Sequence, residues 1–401
     1  QLSRRAAQES IVLLKNNGLL PLDLKKLKTI GVIGPNANSR RALMGNYHGT
    51  ASRYVTVLEG IEDAAEANGI RVMYAEGSHL YQPHVEMLSM TSGMNMDDIT
   101  DGAKEDGAES KLDKLYGSAY LRNIPDRIAE AQAVAEYSDV VIMVLGLDET
   151  LEGEEGDAGN AYSSGDKKDL HLPKCQEKLM QVLLNMGKPV VFVNMTGSAV
   201  DLSLPEEKAG AVLQAWYPGS EGGRAIADVI FGRVSPSGKL PVTFYSGIED
   251  LPDFTDYSMA GRTYRYYEGR PLYPFGYGLT YGECKVVSAQ IEHEGEDFRI
   301  DAKIENTGRD SGEVLQVYVK ANVSCAPVNP VLGAFKRVEL KAQEVNCVSV
   351  ILPRRALSTV DNAGDRKIRG DSFEVYVGFS QPDVRSAELA GTPPIKLSLK
   401  I

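Results

Sequence analysis

The chain has 401 residues, of which 43% are hydrophobic and 24% charged, with a formal net charge of −12 at pH 7. That size allows two or three domains with sizeable cores, and the negative charge argues against nucleic acid or an anionic membrane surface as partner. No run approaches the roughly 18 apolar residues of a membrane helix, and the cysteines Cys175, Cys284, Cys325 and Cys347 have no metal-ligand spacing.

Residues 2–16 alternate apolar and polar positions at helical period and predict a helix stopped by Gly18. The chain opens directly on this helix, which reads as the middle of a longer protein. Thr29 to Ile33 is a predicted buried strand that runs into a turn at Gly34-Pro35-Asn36-Ala37-Asn38. A helix from Val57 to Asn68, closed by Gly69, and a strand from Ile70 to Ala75 complete a βαβ unit. The rhythm returns as helix 125–137, strand 139–145, helix 173–187, strand 189–194, strand 211–215 and helix 220–231. Strands alternating with helices predict a mostly parallel sheet covered on both faces. Residues 79–122 interrupt this pattern, and their Met87, Met90, Met94 and Met96 read as gap-filling side chains.

One stretch organises the rest. The apolar run from Val140 to Leu145 reads as a strand buried on both faces. It leads into Gly146-Leu147-Asp148-Glu149-Thr150-Leu151-Glu152-Gly153-Glu154-Glu155-Gly156-Asp157, which holds six carboxylates in ten residues. Functional groups of open α/β sheets gather beyond the carboxyl ends of such strands. A solvated acidic loop is the plain alternative.

Residues 246–281, rich in Tyr, Gly and Pro, read as a connector. Seven short alternating strands then follow: Val286 to His293, Phe298 to Ile304, Val314 to Lys320, Ala334 to Leu340, Glu344 to Leu352, Ser372 to Gly378 and Ile395 to Leu399. They predict an antiparallel sandwich with a structural role. Cys325 and Cys347 could pair if their strands are neighbours, or remain free thiols. Asn194-Met195-Thr196 and Asn322-Val323-Ser324 are formal glycosylation sequons, the first at a buried strand end.

Several ordered motifs resemble glycoside hydrolase family 3. They are Glu9 to Asn16 before Leu19-Leu20-Pro21-Leu22, Ile33 to Ala37, Met44 to Gly49, the acidic loop from Gly146, and Trp216-Tyr217-Pro218-Gly219 with Glu221-Gly222-Gly223. Pro236 to Pro241, Tyr273 to Tyr281, Asn306-Thr307-Gly308 and Gly333 to Val338 continue the match. The resemblance implies a mostly parallel six-stranded α/β sandwich followed by an all-β fibronectin type III-like sandwich. It divides the chain into a linker helix at 1–27, the α/β domain at 28–245, a connector at 246–282 and the β-sandwich at 283–401. The family places a (β/α)8 barrel before these domains, and that barrel carries the nucleophilic Asp. This sequence contains no barrel. It is then a fragment, a partner of a separate barrel chain, or a non-catalytic relative.

The resemblance also implies a chemistry. Retaining glycoside hydrolysis needs two carboxyl groups about 5–5.5 Å apart, one as nucleophile and one as general acid and then base. The acid/base Glu of the family sits on the acidic loop. Here Glu154 is favoured, followed by Glu152 and then Glu155. The usual Asp-Arg after the loop is displaced, with Asp166-Lys167-Lys168-Asp169-Leu170 following an insertion. Asp148, Tyr47 and His48 are candidate substrate contacts. Gly45-Asn46-Tyr47-His48-Gly49 looks like the β-xylosidase branch of the family. Asp148 can equally cap a turn, His48 can be a solvated loop residue, and His171 reads as a helix-start residue. Implied substrates are xylo-oligosaccharides or aryl β-xylosides, then β-glucosides, with no metal or organic cofactor and a secreted or periplasmic location. The reading from a different class is a non-catalytic carbohydrate-binding or scaffold module.

Overall fold

The computed structural model describes residues 1–45, 48–81, 127–152, 169–249 and 251–401. The Met cluster falls outside them. The described chain divides into two units, one of residues 1–7 and 17–231 and one of residues 8–16 and 232–401.

The opening segment is helix α1 (Leu2–Ser10) followed by strand β1 (Val12–Asn16), where a single helix over 2–16 was expected. Ile11 to Leu14 form an unbroken, fully buried apolar run, which suits an extended chain better than one helix face. Backbone bonds fix it: Leu279 N–H donates to Leu13 C=O at 2.8 Å, and Gly238 N–H to Ile11 C=O at 3.1 Å.

In the first unit five strands run parallel, in the order β6 (Ala211–Gln214), β5 (Val190–Met195), β4 (Val140–Gly146), β2 (Thr29–Ile33) and β3 (Arg71–Ala75). Every residue of β4, β5 and β6 is buried, which is why their sequences are nearly continuous in apolar residues. The register pairs Ile33 with Met143, Gly146 with Met195 and Asn194 with Gln214, so the carboxyl ends of four strands finish near one another. The predicted strands all form, as do α2 (Val57–Glu66), α3 (Ile128–Glu136) and α4 (Lys174–Leu184). A further short helix, α5 (Ser203–Lys208), was not expected; Asp201 starts it by accepting from Ser203 N–H at 2.8 Å.

Gly223, in the first turn of α6 (Gly222–Ile230), and Gly60 of α2 let these two helices approach closely. A Cβ on Gly223 would stand 1.8 Å from Thr56 C=O, and one on Gly60 would stand 2.2 Å from Gly223 C=O. Arg4 of α1 clasps Asp228 of α6 in a two-pronged ion pair, with both N···O distances 2.6 Å and Asp228 buried.

The second unit holds the antiparallel sandwich. One sheet orders β10 (Val331–Leu340), β9 (Ser311–Ala321), β14 (Ser372–Gly378) and β15 (Ile395–Lys400). The other orders β11 (Glu344–Leu352), β8 (Asp297–Asn306) and β7 (Cys284–Glu294). These are the seven expected strands, and their inward residues, Phe298, Ile300, Leu315, Val317, Phe373 and Val375 among them, form one core. Three elements were not anticipated: the hairpin of β12 (Ser358–Val360) and β13 (Arg366–Ile368), the short α7 (Thr263–Tyr266), and α8 (Val384–Ala390). Helix α8 is capped by Asp383, which accepts from Ser386 N–H at 2.9 Å, and ends at left-handed Gly391. All four cysteines are free, with Cys325 Sγ 3.4 Å from Thr359 Oγ1.

Candidate active site

The site is built at the carboxyl edge of β4. Gly146 ends that strand at φ +155°, and a Cβ there would lie 1.9 Å from Met195 C=O. Only glycine lets the chain turn out so close to β5. Gln176 of α4, fully buried, fixes this exit: its Oε1 accepts from Gly146 N–H at 2.9 Å, and its Nε2 donates to the carbonyls of Gly146 and Leu80, each at 2.7 Å. Asn36, fully buried in the turn after β2, donates to Leu147 C=O at 2.9 Å. A polar helix residue and a loop amide thus hold the first two residues of the acidic loop.

Asp148 comes next and is buried. Its Oδ1 accepts from Thr150 N–H at 2.9 Å and from Thr150 Oγ1 at 2.6 Å, while its carbonyl accepts from Leu151 and Glu152 N–H, each at 3.0 Å. This is a side-chain-capped turn, as one of its two readings expected. The turn delivers Glu152 to the loop after β5. Glu152 Oε2 accepts from Gly197 N–H at 2.7 Å, and Oε1 accepts from Ser198 N–H at 3.1 Å. The Ser198 hydroxyl also donates to Oε1, and the Tyr217 hydroxyl donates to Oε2. Backbone and hydroxyl donors from two loops therefore close on one carboxylate.

Those loops are themselves braced. Fully buried Asn194 donates to Gln214 Oε1 at 2.5 Å and to Thr196 Oγ1 at 2.9 Å. Thr196 Oγ1 donates to Ser198 C=O at 2.7 Å, and Gln214 Nε2 donates to Thr196 C=O at 2.9 Å. Asn194, the first sequon residue, is thus fully buried and committed to this network. Trp216 follows β6 with φ +59°, a left-handed conformation that a bulky side chain rarely adopts. It sets Tyr217 toward Glu152. Burial, reinforced by the charge of Glu152, pushes the Tyr217 phenol far above its ordinary value, so it stays a donor.

The remaining candidates are placed unequally. His48 Nε2 is 3.5 Å from Glu149 Oε2, and Arg41 Nε is 3.8 Å from Glu149 Oε1. His171 precedes α4 and its Nδ1 is 3.0 Å from Glu177 Oε1. Glu154, Glu155 and Tyr47 lie outside the described residues. Among the described residues there is no group of three or more His, Cys, Asp or Glu side chains able to hold a metal ion. No helix among them is long and apolar enough to cross a membrane.

Residues 11–281 match the profile of the glycosyl hydrolase family 3 C-terminal domain. The chain belongs to glycosyl hydrolase family 3. Residues 313–381 match a fibronectin type III-like domain, in agreement with the sandwich. A xylan 1,4-beta-xylosidase of Xylanibacter ruminicola is 29% identical, covering 94% of this chain and 56% of that protein. A periplasmic beta-glucosidase of Salmonella typhimurium is 32% identical, covering 96% of this chain and 49% of that protein. A solved β-glucosidase from Erythrobacter marinus superposes with a TM-score of 0.77 at 30% identity, over 100% of this chain and 50% of that one. The chain thus spans about half the length of these family 3 relatives.

The partners of Glu152 had no assigned role in the sequence. Tyr217 stood within a recognised motif, and Gly197-Ser198 directly follow a buried strand, which is the place to look. Gln176 carried no such signal: its burial and three bonds depend on where α4 packs.

Proposed function

We propose that this chain is the C-terminal part of a retaining, exo-acting β-glycosidase, and that it supplies the general acid/base to a nucleophilic Asp carried by a barrel domain. The clamp on Glu152 is the observation that carries the reading. It ties Glu152, at the start of the acidic loop, to the carboxyl edge of the sheet, where open α/β sheets gather their functional groups. Both oxygens of Glu152 already accept hydrogen bonds. That suits a carboxylate held in place better than one delivering a proton to a leaving oxygen. Glu154 is therefore the proposed acid, ahead of Glu155.

In the first step Glu154 protonates the glycosidic oxygen as the barrel Asp attacks the anomeric carbon. In the second it takes a proton from water, which displaces the Asp and releases the sugar with retained configuration. Asp148, Tyr47 and His48 are proposed to line the approach to the sugar. The substrates are xylo-oligosaccharides or aryl β-xylosides first, β-glucosides second. The xylosidase and glucosidase names of the relatives support that pair.

The test is hydrolysis of nitrophenyl β-xyloside and β-glucoside by this chain alone and combined with the cognate barrel domain. Activity only in the combination, lost in Glu154→Gln and restored by azide on an activated substrate, is expected. Activity indifferent to Glu154 and Glu155 would overturn the assignment of the acid.

A further inference from the structure

The second unit contains a cavity of about 390 Å³ that the glycosidase reading does not use. Its walls include Arg265, Lys320, Arg355 and Arg366, and none of its lining residues is acidic. This concentration of cations stands out in a chain whose formal charge is −12. Among the described residues none of the four cations has a carboxylate oxygen within ion-pair distance, whereas Arg369 and Lys367 of the same hairpin region pair with Asp361 and Asp365. Glu374 lies near enough to act on Lys320, but its carboxylate is engaged by Lys396 at 2.6 Å and by the Tyr376 hydroxyl at 2.7 Å.

The cavity is also built rather than incidental. Asn329 donates to the carbonyls of Tyr264 at 3.0 Å and Tyr267 at 2.8 Å, which fixes the α7 turn bearing Arg265. The Tyr264 ring stacks on Phe275 with centroids 4.0 Å apart, and the Arg265 guanidinium sits 5.8 Å from the Tyr264 centroid. Lys320 donates to the carbonyls of Pro327 and Val328, leaving one of its three ammonium protons. Arg366 is held across the β12–β13 hairpin by Ser358 Oγ at 3.2 Å. Val331, Leu332, Ala356 and Leu357 supply an apolar floor.

We propose that this cavity binds a small organic anion of about monosaccharide size, its carboxylate or phosphate meeting the Arg355–Arg366 side and its ring lying on the apolar floor. The volume falls within the range of small-molecule pockets, about 300–1,000 Å³. Arginine forks suit both oxyanions. The proposal is independent of the glycosidase reading.

Titration calorimetry on the whole chain tests it, with D-glucuronate, glucose 6-phosphate, inorganic phosphate and glucose as probes. Binding of glucuronate or of glucose 6-phosphate, with glucose silent, is the expected result, and the stronger of the two names the oxyanion. The double variant Arg355→Ala/Arg366→Ala should weaken that binding at least about ten-fold, since it removes charge-assisted hydrogen bonds. Arg354→Ala, an exposed neighbour outside the cavity, should leave it unchanged. Circular dichroism and melting of the double variant confirm that it remains folded. Silence of both sugar anions, equal binding of glucose, or binding indifferent to the double variant overturns the site. Inorganic phosphate binding as tightly as glucose 6-phosphate overturns the sugar-sized ligand.

Discussion

The Tyr217 hydroxyl donates to Oε2 of Glu152, joining residues 65 positions apart at the carboxyl edge of the parallel sheet. The bond is charge-assisted and partly buried, which places it among the stronger kind. Tyr217→Phe keeps the ring and removes the donor. Urea denaturation should show a loss of about 2 kcal/mol at neutral pH. The phenol is raised above its ordinary value of 10.0 in the folded state, so its contribution is complete below pH 10 and declines as pH rises beyond it. The gap between wild type and variant should therefore narrow above pH 10. A gap that stays constant would mean the hydroxyl is not the donor described.

Gly197 tests the same clamp from the backbone side. A Cβ at this position would come 2.8 Å from Tyr217 Cε2 and 3.1 Å from Glu152 Oε2. Gly197→Ala should cost about 1–3 kcal/mol, because the tyrosine ring must shift. Combined with Tyr217→Phe, the cost should fall short of the sum, since both changes disturb one constellation. Strict additivity in a double-mutant cycle would show that the two residues act separately.

The fold was largely legible because its signals are local. The apolar runs of β4 and β5 and the alternation of β8 and β11 say which strands are buried on two faces and which on one. The acidic loop was legible for the same reason, since it lies directly beyond such a strand. The helix expected through residue 16 failed where periodicity met a short unbroken run, Ile11 to Leu14, whose β conformation depends on long-range bonds such as Leu279 to Leu13. The clamp was not legible. It needs Gly197, Ser198 and Tyr217, drawn from the loops after β5 and β6, and sequence spacing does not encode their meeting. Gln176 is harder still, because a buried glutamine on a helix resembles an exposed one until the strand end it satisfies is known.

Gln176 therefore yields the next prediction. Gln176→Leu preserves approximate volume but leaves Gly146 N–H and C=O and Leu80 C=O without their side-chain partner. Buried peptide groups left unsatisfied cost about 1–3 kcal/mol each. A total loss of roughly 3 kcal/mol is expected, together with faster amide exchange at Gly146 and Leu147, because the exit from β4 is loosened. A stable variant with unchanged exchange at those amides would show that α4 does not brace the loop.

In the second unit, Lys239 and Glu313 form a buried ion pair, Nζ to Oε2 at 2.8 Å. Burial raises the Glu313 carboxyl above its ordinary value, and Lys239 opposes that rise. A carboxyl raised by folding contributes stability below its unfolded value and loses that contribution as pH climbs through its folded value. Lys239→Met removes the opposing charge and should raise Glu313 further. The variant should then be destabilised by about 3 kcal/mol at pH 8, where an unpaired buried carboxylate is most costly. The penalty should shrink as pH falls toward 4.5, because a carboxyl that burial raises above this ordinary value is already protonated there in the folded state. Adding Glu313→Gln should recover much of the loss at pH 8, because it deletes the stranded charge and keeps an acceptor for Val314 N–H. Melting curves of the single and double variants at both pH values decide the matter. A penalty independent of pH, and unrelieved by the second substitution, would mean that Lys239 acts through packing and through its 2.7 Å bond to Gly278 C=O rather than through Glu313.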